Sequence, residues 1–267
     1  MLVEYENVAY HTIKTRLKMT LLFELTSLRY TYGDRIAVRD ISFEVRPAQI
    51  FGLLGPNGAG KTTTLSCISG ALSKWSGSIF MNGSPFFPAR EAVHRGLLGI
   101  VPQELAVYDT LTARENLVLF AKLCGVPKSE QKNSVDEFIA FAGLEQRQND
   151  LVSQFSGGMK RRLNLAAGLL HRPPLVLMDE PTVGVDPQSR NHIFDSIEKI
   201  KSTGTSVLYT THYMEEAERL CDTIAIMDNG SIIASGTPDE LIASMNDANA
   251  TMETVFLTLT GRNLKDE

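Results

Sequence analysis

The chain has 267 residues, 21% charged and 43% hydrophobic, the balance of a globular protein with room for one large core or a core plus a subdomain. A net charge of -5 argues against a nucleic-acid surface, and no run approaches the roughly 18 apolar residues of a membrane-crossing helix. Cys67, Cys124 and Cys221 stand too far apart for a metal-ligand cluster and read as thiols of a reducing compartment rather than disulfides.

Residues 1–21 carry Glu4, Glu6, Lys14, Arg16 and Lys18, lack the apolar centre of a signal peptide, and read as an N-terminal extension. Residues 22–28 and 36–45 predict short strands around the turn Tyr32-Gly33-Asp34. Another short strand follows at 49–54, then a helix at 61–69. Residues 77–83 read as a strand ending in a turn, and 99–101 as a strand stopped by Pro102. From Thr112 the texture becomes helical: Thr112 caps a run with Leu117, Phe120, Ala121 and Cys124 on one period, and 134–141 and 158–170 continue in that style. Residues 104–170 therefore predict a helical insertion inside an α/β domain at 22–241.

The α/β pattern then returns. Residues 175–178 are wholly apolar, the mark of a strand buried on both faces. A helix at 187–200 puts Ile193, Ile197 and Ile200 on one side, a strand follows at 206–210, and a short helix at 213–220. Residues 223–227 and 232–234 predict a hairpin around Asp228-Asn229-Gly230. Strands alternating with helices predict a mostly parallel core sheet. In the tail, 242–267, the stretch 254–260 is expected to alternate or coil and to dock through Val255, Phe256, Leu257 and Leu259.

Two motifs carry chemistry. Gly55-Pro56-Asn57-Gly58-Ala59-Gly60-Lys61-Thr62 lies between a predicted strand and a predicted helix, as a phosphate-cradling loop must. Backbone N–H groups of such a loop face phosphates, and the helix N-terminus adds its positive end. Lys61 is expected to reach the β- and γ-phosphates, and the Thr62 hydroxyl to bind Mg²⁺. Leu175-Val176-Leu177-Met178-Asp179-Glu180 is a buried strand ending in two carboxylates. Asp179 falls at the ligand-binding edge of an open sheet, where it holds the Mg²⁺ shell. Glu180, one residue on, must point elsewhere if strand geometry persists, toward the attacking water. The pair of motifs implies binding of ATP or GTP with magnesium, and hydrolysis. Gln103 and His212 each follow a predicted strand and can meet the metal, the water or the γ-phosphate. A loop residue and a structural hydrogen-bonder are the alternatives.

At Ser156-Gly157-Gly158-Met159-Lys160-Arg161-Arg162 the chain resembles the ATP-binding-cassette family, over roughly residues 23–241. The resemblance implies an ABC ATPase fold: a mostly parallel core sheet, an antiparallel β subdomain and a helical signature subdomain. It implies that Tyr32 stacks on adenine, that Gly55 to Thr63 form the phosphate loop (Thr63 included), that Gln103 is the Q-loop residue, and that His212 is the switch histidine. Val183-Gly184-Val185-Asp186 resembles the D-loop. Ser156, Gly157, Gly158 and Met159 resemble the signature, which in the family covers ATP held by a second subunit. The family pattern more often has Leu at Phe155 and Gln at Met159, yet the serine hydroxyl and glycine N–H groups remain available. Asp186-Pro187-Gln188-Ser189-Arg190, Thr211-His212-Tyr213-Met214-Glu215-Glu216 and the stretch 252–261 further resemble ATPases of ABC-2 type bacterial drug and antibiotic exporters, of the linearmycin- and daunorubicin-resistance kind. That implies two ATPase chains paired with separate permeases at the cytoplasmic face of the membrane. The face near Gln103 and 112–124, with Leu105, Val107, Tyr108 and Leu111, is expected to receive a permease helix; filling of the core between the subdomains is the alternative for each of the four. The alternative is a soluble cassette ATPase acting on ribosomes or DNA, against which the single cassette and the acidic charge both weigh.

Overall fold

The computed structural model describes residues 21–261 except 246 and 248, so all but the last residue of the N-terminal extension, and the final six residues, lie outside the described residues. In chain order the strands are β1 (Phe23–Tyr32), β2 (Arg35–Val45), β3 (Ile50–Leu54), β4 (Ser76–Met81), β5 (Ser84–Pro85), β6 (Leu98–Val101), β7 (Leu175–Asp179), β8 (Ser206–Thr211), β9 (Thr223–Asp228) and β10 (Ser231–Gly236). The helices are α1 (Lys61–Ser69), α2 (Ala92–Arg95), α3 (Ala113–Leu123), α4 (Gln131–Phe141), α5 (Gly157–Leu169), α6 (Pro187–Ser202), α7 (Met214–Leu220), α8 (Pro238–Ala243) and α9 (Met252–Thr260).

The strands form two sheets. One is antiparallel, in the order β2-β1-β4-β5; the other runs β10-β9-β3-β8-β7-β6. In the larger sheet β9, β3, β8, β7 and β6 are parallel, and β10 closes one edge antiparallel to β9. Every residue of β3, β7 and β8 is buried, which fits their largely apolar runs; the polar residues Asp179, Ser206, Thr210 and Thr211 lie at the strand ends. Strand alternation then divides them between two cores. Ile50, Leu54, Val176, Met178, Val207 and Tyr209 pack toward the core that holds α3 to α7. Phe51, Leu53, Leu175, Leu177 and Leu208 pack on the opposite side, with the antiparallel sheet and α1.

Helices α3, α4 and α5 lie between β6 and β7 and pack on one another. Thr112 caps α3 in a capping box with Glu115. The tail differs from expectation: it is a helix, α9, opened by a Thr251 cap. Its apolar residues fit a helical period as well as an alternating one; Met252, Val255 and Phe256 fall on one face and are fully buried. Helices α2 and α8 were not legible as elements; each is six residues or shorter, too brief for a periodic signal. Because the parallel strands share a direction, Leu54, Val101, Asp179 and Thr211 all end at one edge, and the segments leaving that edge meet there.

Candidate active site

The segment leaving β3 is the glycine-rich loop. Gly58 and Gly60 have φ of 80° and 107°, a region that glycine enters without strain. A side chain at Gly60 would also meet the Ala37 carbonyl at 2.6 Å. The loop leans on the β9–β10 turn: Gly230 N donates to Ala59 O at 2.9 Å, and Arg39 N of β2 donates to Gly230 O at 2.7 Å. Helix α1 begins at Lys61 with no side-chain cap and no acid in its first turn. Its first N–H groups and the positive end of its dipole are thus offered to an external anion.

An open cleft of about 720 Å³ lies over this loop, lined by Tyr32, Asn57, Gly58, Gly60, Lys61, Thr62, Thr63, Gln103 and Glu180. Gly55, Pro56 and Ala59 are buried and support the loop from behind. Lys61 Nζ donates to the carbonyls of Gly55 at 2.7 Å and Pro56 at 3.1 Å. It also lies 3.1 Å from Glu180 Oε1, in an ion pair that is almost fully buried. The other carboxylate oxygen, Glu180 Oε2, is 3.1 Å from His212 Nδ1. One carboxylate therefore bridges the loop lysine and the histidine.

Strand geometry does not persist through Glu180. β7 ends at Asp179, and Glu180 has φ of 44°, the left-handed region. A non-glycine residue held there is uncommon and points to a site where geometry is enforced. The enforcing group is Thr210 of β8. Its hydroxyl donates to Asp179 Oδ1 at 2.6 Å and accepts from Glu180 N at 3.0 Å, while its carbonyl accepts from the same N–H at 3.2 Å.

Sequence reasoning missed a third carboxylate behind this arrangement. Glu216 of α7 is 2% exposed and accepts hydrogen bonds from three buried hydroxyls. These are Thr182 at 2.7 Å, Tyr209 at 2.9 Å and Thr211 at 2.9 Å. Burial and the Glu216 charge raise the Tyr209 phenol well above its ordinary range, so it stays a donor. Thr182 follows Glu180 by two residues and Thr211 precedes His212, so Glu216 braces both loops. Glu216→Ala strands three hydroxyls, at about 1–3 kcal/mol for each unsatisfied group. The expected result is a melting temperature lower by roughly 6 °C or more, read by differential scanning calorimetry. An unchanged melt would contradict the bracing role.

The residues 156–159 do not line this cleft. Ser156 Oγ accepts from Met159 N at 3.3 Å and caps α5. Phe155 is buried beside it, an apolar anchor. Gly158 packs against α6, where a Cβ would lie 2.1 Å from Ser189 Oγ, whereas a Cβ at Gly157 would meet nothing within 4 Å. Asp186 caps α6 by accepting from Ser189 N at 2.9 Å, and that bond holds its carboxyl below the usual range. This is a second, separate surface of the same chain.

Arg35, Arg39, Asn229 and Gly230 also line the cleft and were not singled out from the sequence. The available signal was alternation: Arg35 and Arg39 share a face of β2 just after Tyr32. Tyr30 meets the Tyr32 ring edge-on at 4.8 Å between centroids and steadies it. Thr62, Gln103 and Asp179 offer a hydroxyl, an amide and a carboxylate. Such hard oxygen donors fit magnesium, which keeps waters and takes phosphate oxygens. The uncapped α1 terminus fits the phosphates themselves.

Residues 38–183 match the family model described as ABC transporter. The chain is 47% identical over 225 residues to the linearmycin resistance ATP-binding protein LnrL of Bacillus subtilis (strain 168), covering 84% of this chain and 72% of that one. It is 42% identical to the Nod factor export ATP-binding protein I of Cupriavidus metallidurans, covering 85% and 74%. A solved ATP-binding subunit of an ABC transporter superposes with a TM-score of 0.80 at 30% identity, over 90% of this chain and 99% of that one.

Proposed function

The chain belongs to the ABC transporter family as an ATP-binding, ATP-hydrolysing subunit, and from that premise we propose that it is the motor of an ABC-2 type bacterial exporter. The family and fold imply binding of ATP with magnesium. The observation that carries the site assignment is the Lys61–Glu180–His212 bridge at the mouth of an uncapped helix.

In this reading ATP enters the cleft with adenine on Tyr32 and its phosphates in the loop 55–63. Lys61 turns from Glu180 toward the β- and γ-phosphates, exchanging one anionic partner for another. Thr62, Gln103 and Asp179 would hold magnesium, which would supply neutralisation of the phosphate charge. Glu180, freed from Lys61 and fixed by Thr210, polarises the attacking water. His212 orients Glu180 and meets the γ-phosphate. Ser156, Gly157, Gly158 and Met159 cover ATP bound to a second copy of the chain, and Asp186 lies at that same surface. ATP bridges the two copies, and hydrolysis releases them.

Among the described residues no helix is long and apolar enough to cross a membrane. In this proposal force passes to a separate permease, with the chain at the cytoplasmic face of the membrane, a reading the ABC transporter relatives support. The relatives named for Nod factor export support the export direction. Nothing found supports action on ribosomes or DNA.

The docking face is the groove between β6 and α3, lined by Ile100, Ala106, Phe120 and Leu123. Ile100, Leu105, Tyr108 and Leu123 are exposed there, an apolar patch beside Gln103. Val107 and Leu111 are partly buried, nearer to core filling than to contact. Photo-cross-linkers at Tyr108 and Leu123 are expected to capture the co-expressed permease in an active complex. Capture only from a distant face, such as α9, would move the interface elsewhere.

A further inference from the structure

Arg161 is a buried cation that does not itself line the cleft. It sits on α5, five residues after Ser156, and is 7% exposed. Its partners are carbonyls of two separate loops. Nη1 donates to Gln103 O at 2.7 Å and Pro102 O at 3.3 Å, and Nη2 donates to Val183 O at 3.3 Å. The first pair belongs to the segment that carries Gln103 into the cleft. The last lies between Glu180 and Asp186, on the loop that runs to the signature surface.

Burying a guanidinium against neutral carbonyls is costly, and burial lowers its pKa. Simple packing between subdomains needs no charge there. What a guanidinium does add is a rigid fork of donors that fixes several carbonyls at once. Neighbours on the same helix tie further points of the same segment. Asn164 Oδ1 accepts from Ala106 N at 3.0 Å, and Lys160 Nζ bonds both oxygens of Asp109 at 2.7 and 2.9 Å. The segment 102–109 is thus fastened to α5 along its length, and Arg161 alone of these three also holds residue 183.

We propose that Arg161 is a positioning residue that makes α5 move as one body with the Gln103 and Val183 loops, so that nucleotide in a chain's own cleft sets where that chain's Ser156 is presented to its partner. The inference rests on the reading of Ser156 as acting in trans. Helix α5 is 13 residues of regular structure with Ser156 at its N-cap, stiff enough to carry a displacement from Arg161 to the signature. The D-loop side is in contact already, since Ser189 fills the space beside Gly158. Arg161 closes the triangle on the Gln103 side.

The test compares Arg161→Met, which keeps length without donors, with Arg161→Lys, which keeps charge without the fork. Each is made in the full chain and again with Glu180→Gln. Binding of a fluorescent ATP analogue by the monomer is expected within about twofold of the parent, because Arg161 itself does not line the cleft. ATP-dependent dimer formation is expected to need about tenfold more protein in Arg161→Met, the scale of a lost charge-assisted hydrogen bond. Arg161→Lys should fall between. Cooperativity of ATPase rate against ATP should drop in the same order, with kcat reduced more than KM. Dimerisation and rate equal to the parent in both variants would overturn the proposal. So would a parallel loss of melting temperature and monomer ATP affinity, which marks a purely structural role. If the Glu180→Gln chain with Arg161 intact does not dimerise on ATP, the trans reading itself has failed.

Discussion

Lys61→Ala is expected to weaken ATP binding by about 100-fold or more and to abolish turnover. Hydrogen bonds to charged groups contribute about 1.5–3 kcal/mol each, and Lys61 makes contacts to two phosphates in the proposed complex. The loss reaches beyond phosphate recognition, because Lys61 is also an internal brace. Its amine holds the Gly55 and Pro56 carbonyls and pairs with Glu180. Removing one partner of a buried ion pair costs about 3–5 kcal/mol, so the variant should also melt earlier. Glu180 keeps His212 as a partner, which limits the damage. Isothermal titration on a variant shown folded by circular dichroism separates the two effects. Undiminished ATP affinity in that folded variant would remove the loop from the binding site.

Glu180→Gln is expected to bind ATP and lose hydrolysis by a factor of about 10²–10⁴, the usual contribution of a positioned base. Glutamine can still accept from His212, yet it cannot take a proton from water. Its backbone is held independently of its side chain, by the two bonds from Glu180 N to Thr210. The geometry of the loop should therefore survive, and only the chemistry change. In the absence of nucleotide Lys61 loses its anionic partner, and the variant should be less stable than the parent. ATP at 100 times its Kd restores about 2.7 kcal/mol by mass action. Single-turnover hydrolysis with a radiolabelled γ-phosphate measures the chemical step. A rate within fivefold of the parent would assign the base elsewhere.

Much of this architecture was legible in residues. The wholly apolar run 175–178 announced β7 as a strand buried on both faces, and the run 49–54 followed by the glycine-rich stretch announced the strand, loop and helix around the phosphate site. Thr112 declared the start of α3 by its capping chemistry. What stayed hidden depended on long-range contact. Glu216 reads as one acid among several on a short helix; only the fold surrounds it with Thr182, Tyr209 and Thr211. Arg161 reads as part of a basic run, and its three carbonyl partners lie 22 to 59 positions away. The bend at Glu180 could not be foreseen from alternation, because Thr210 on a neighbouring strand imposes it. The α9 tail was ambiguous for the opposite reason: seven residues of mixed apolar and polar character satisfy either period.

The central claim is that ATP joins two copies of this chain, each supplying its phosphate loop to one nucleotide and its signature to the other. Light scattering of the Glu180→Gln chain, with and without ATP and magnesium, tests it most directly. A single species at the 29.4 kDa of one chain is expected without nucleotide, and twice that mass once ATP and magnesium are added. A chain that binds ATP with magnesium yet keeps the mass of one copy would contradict it.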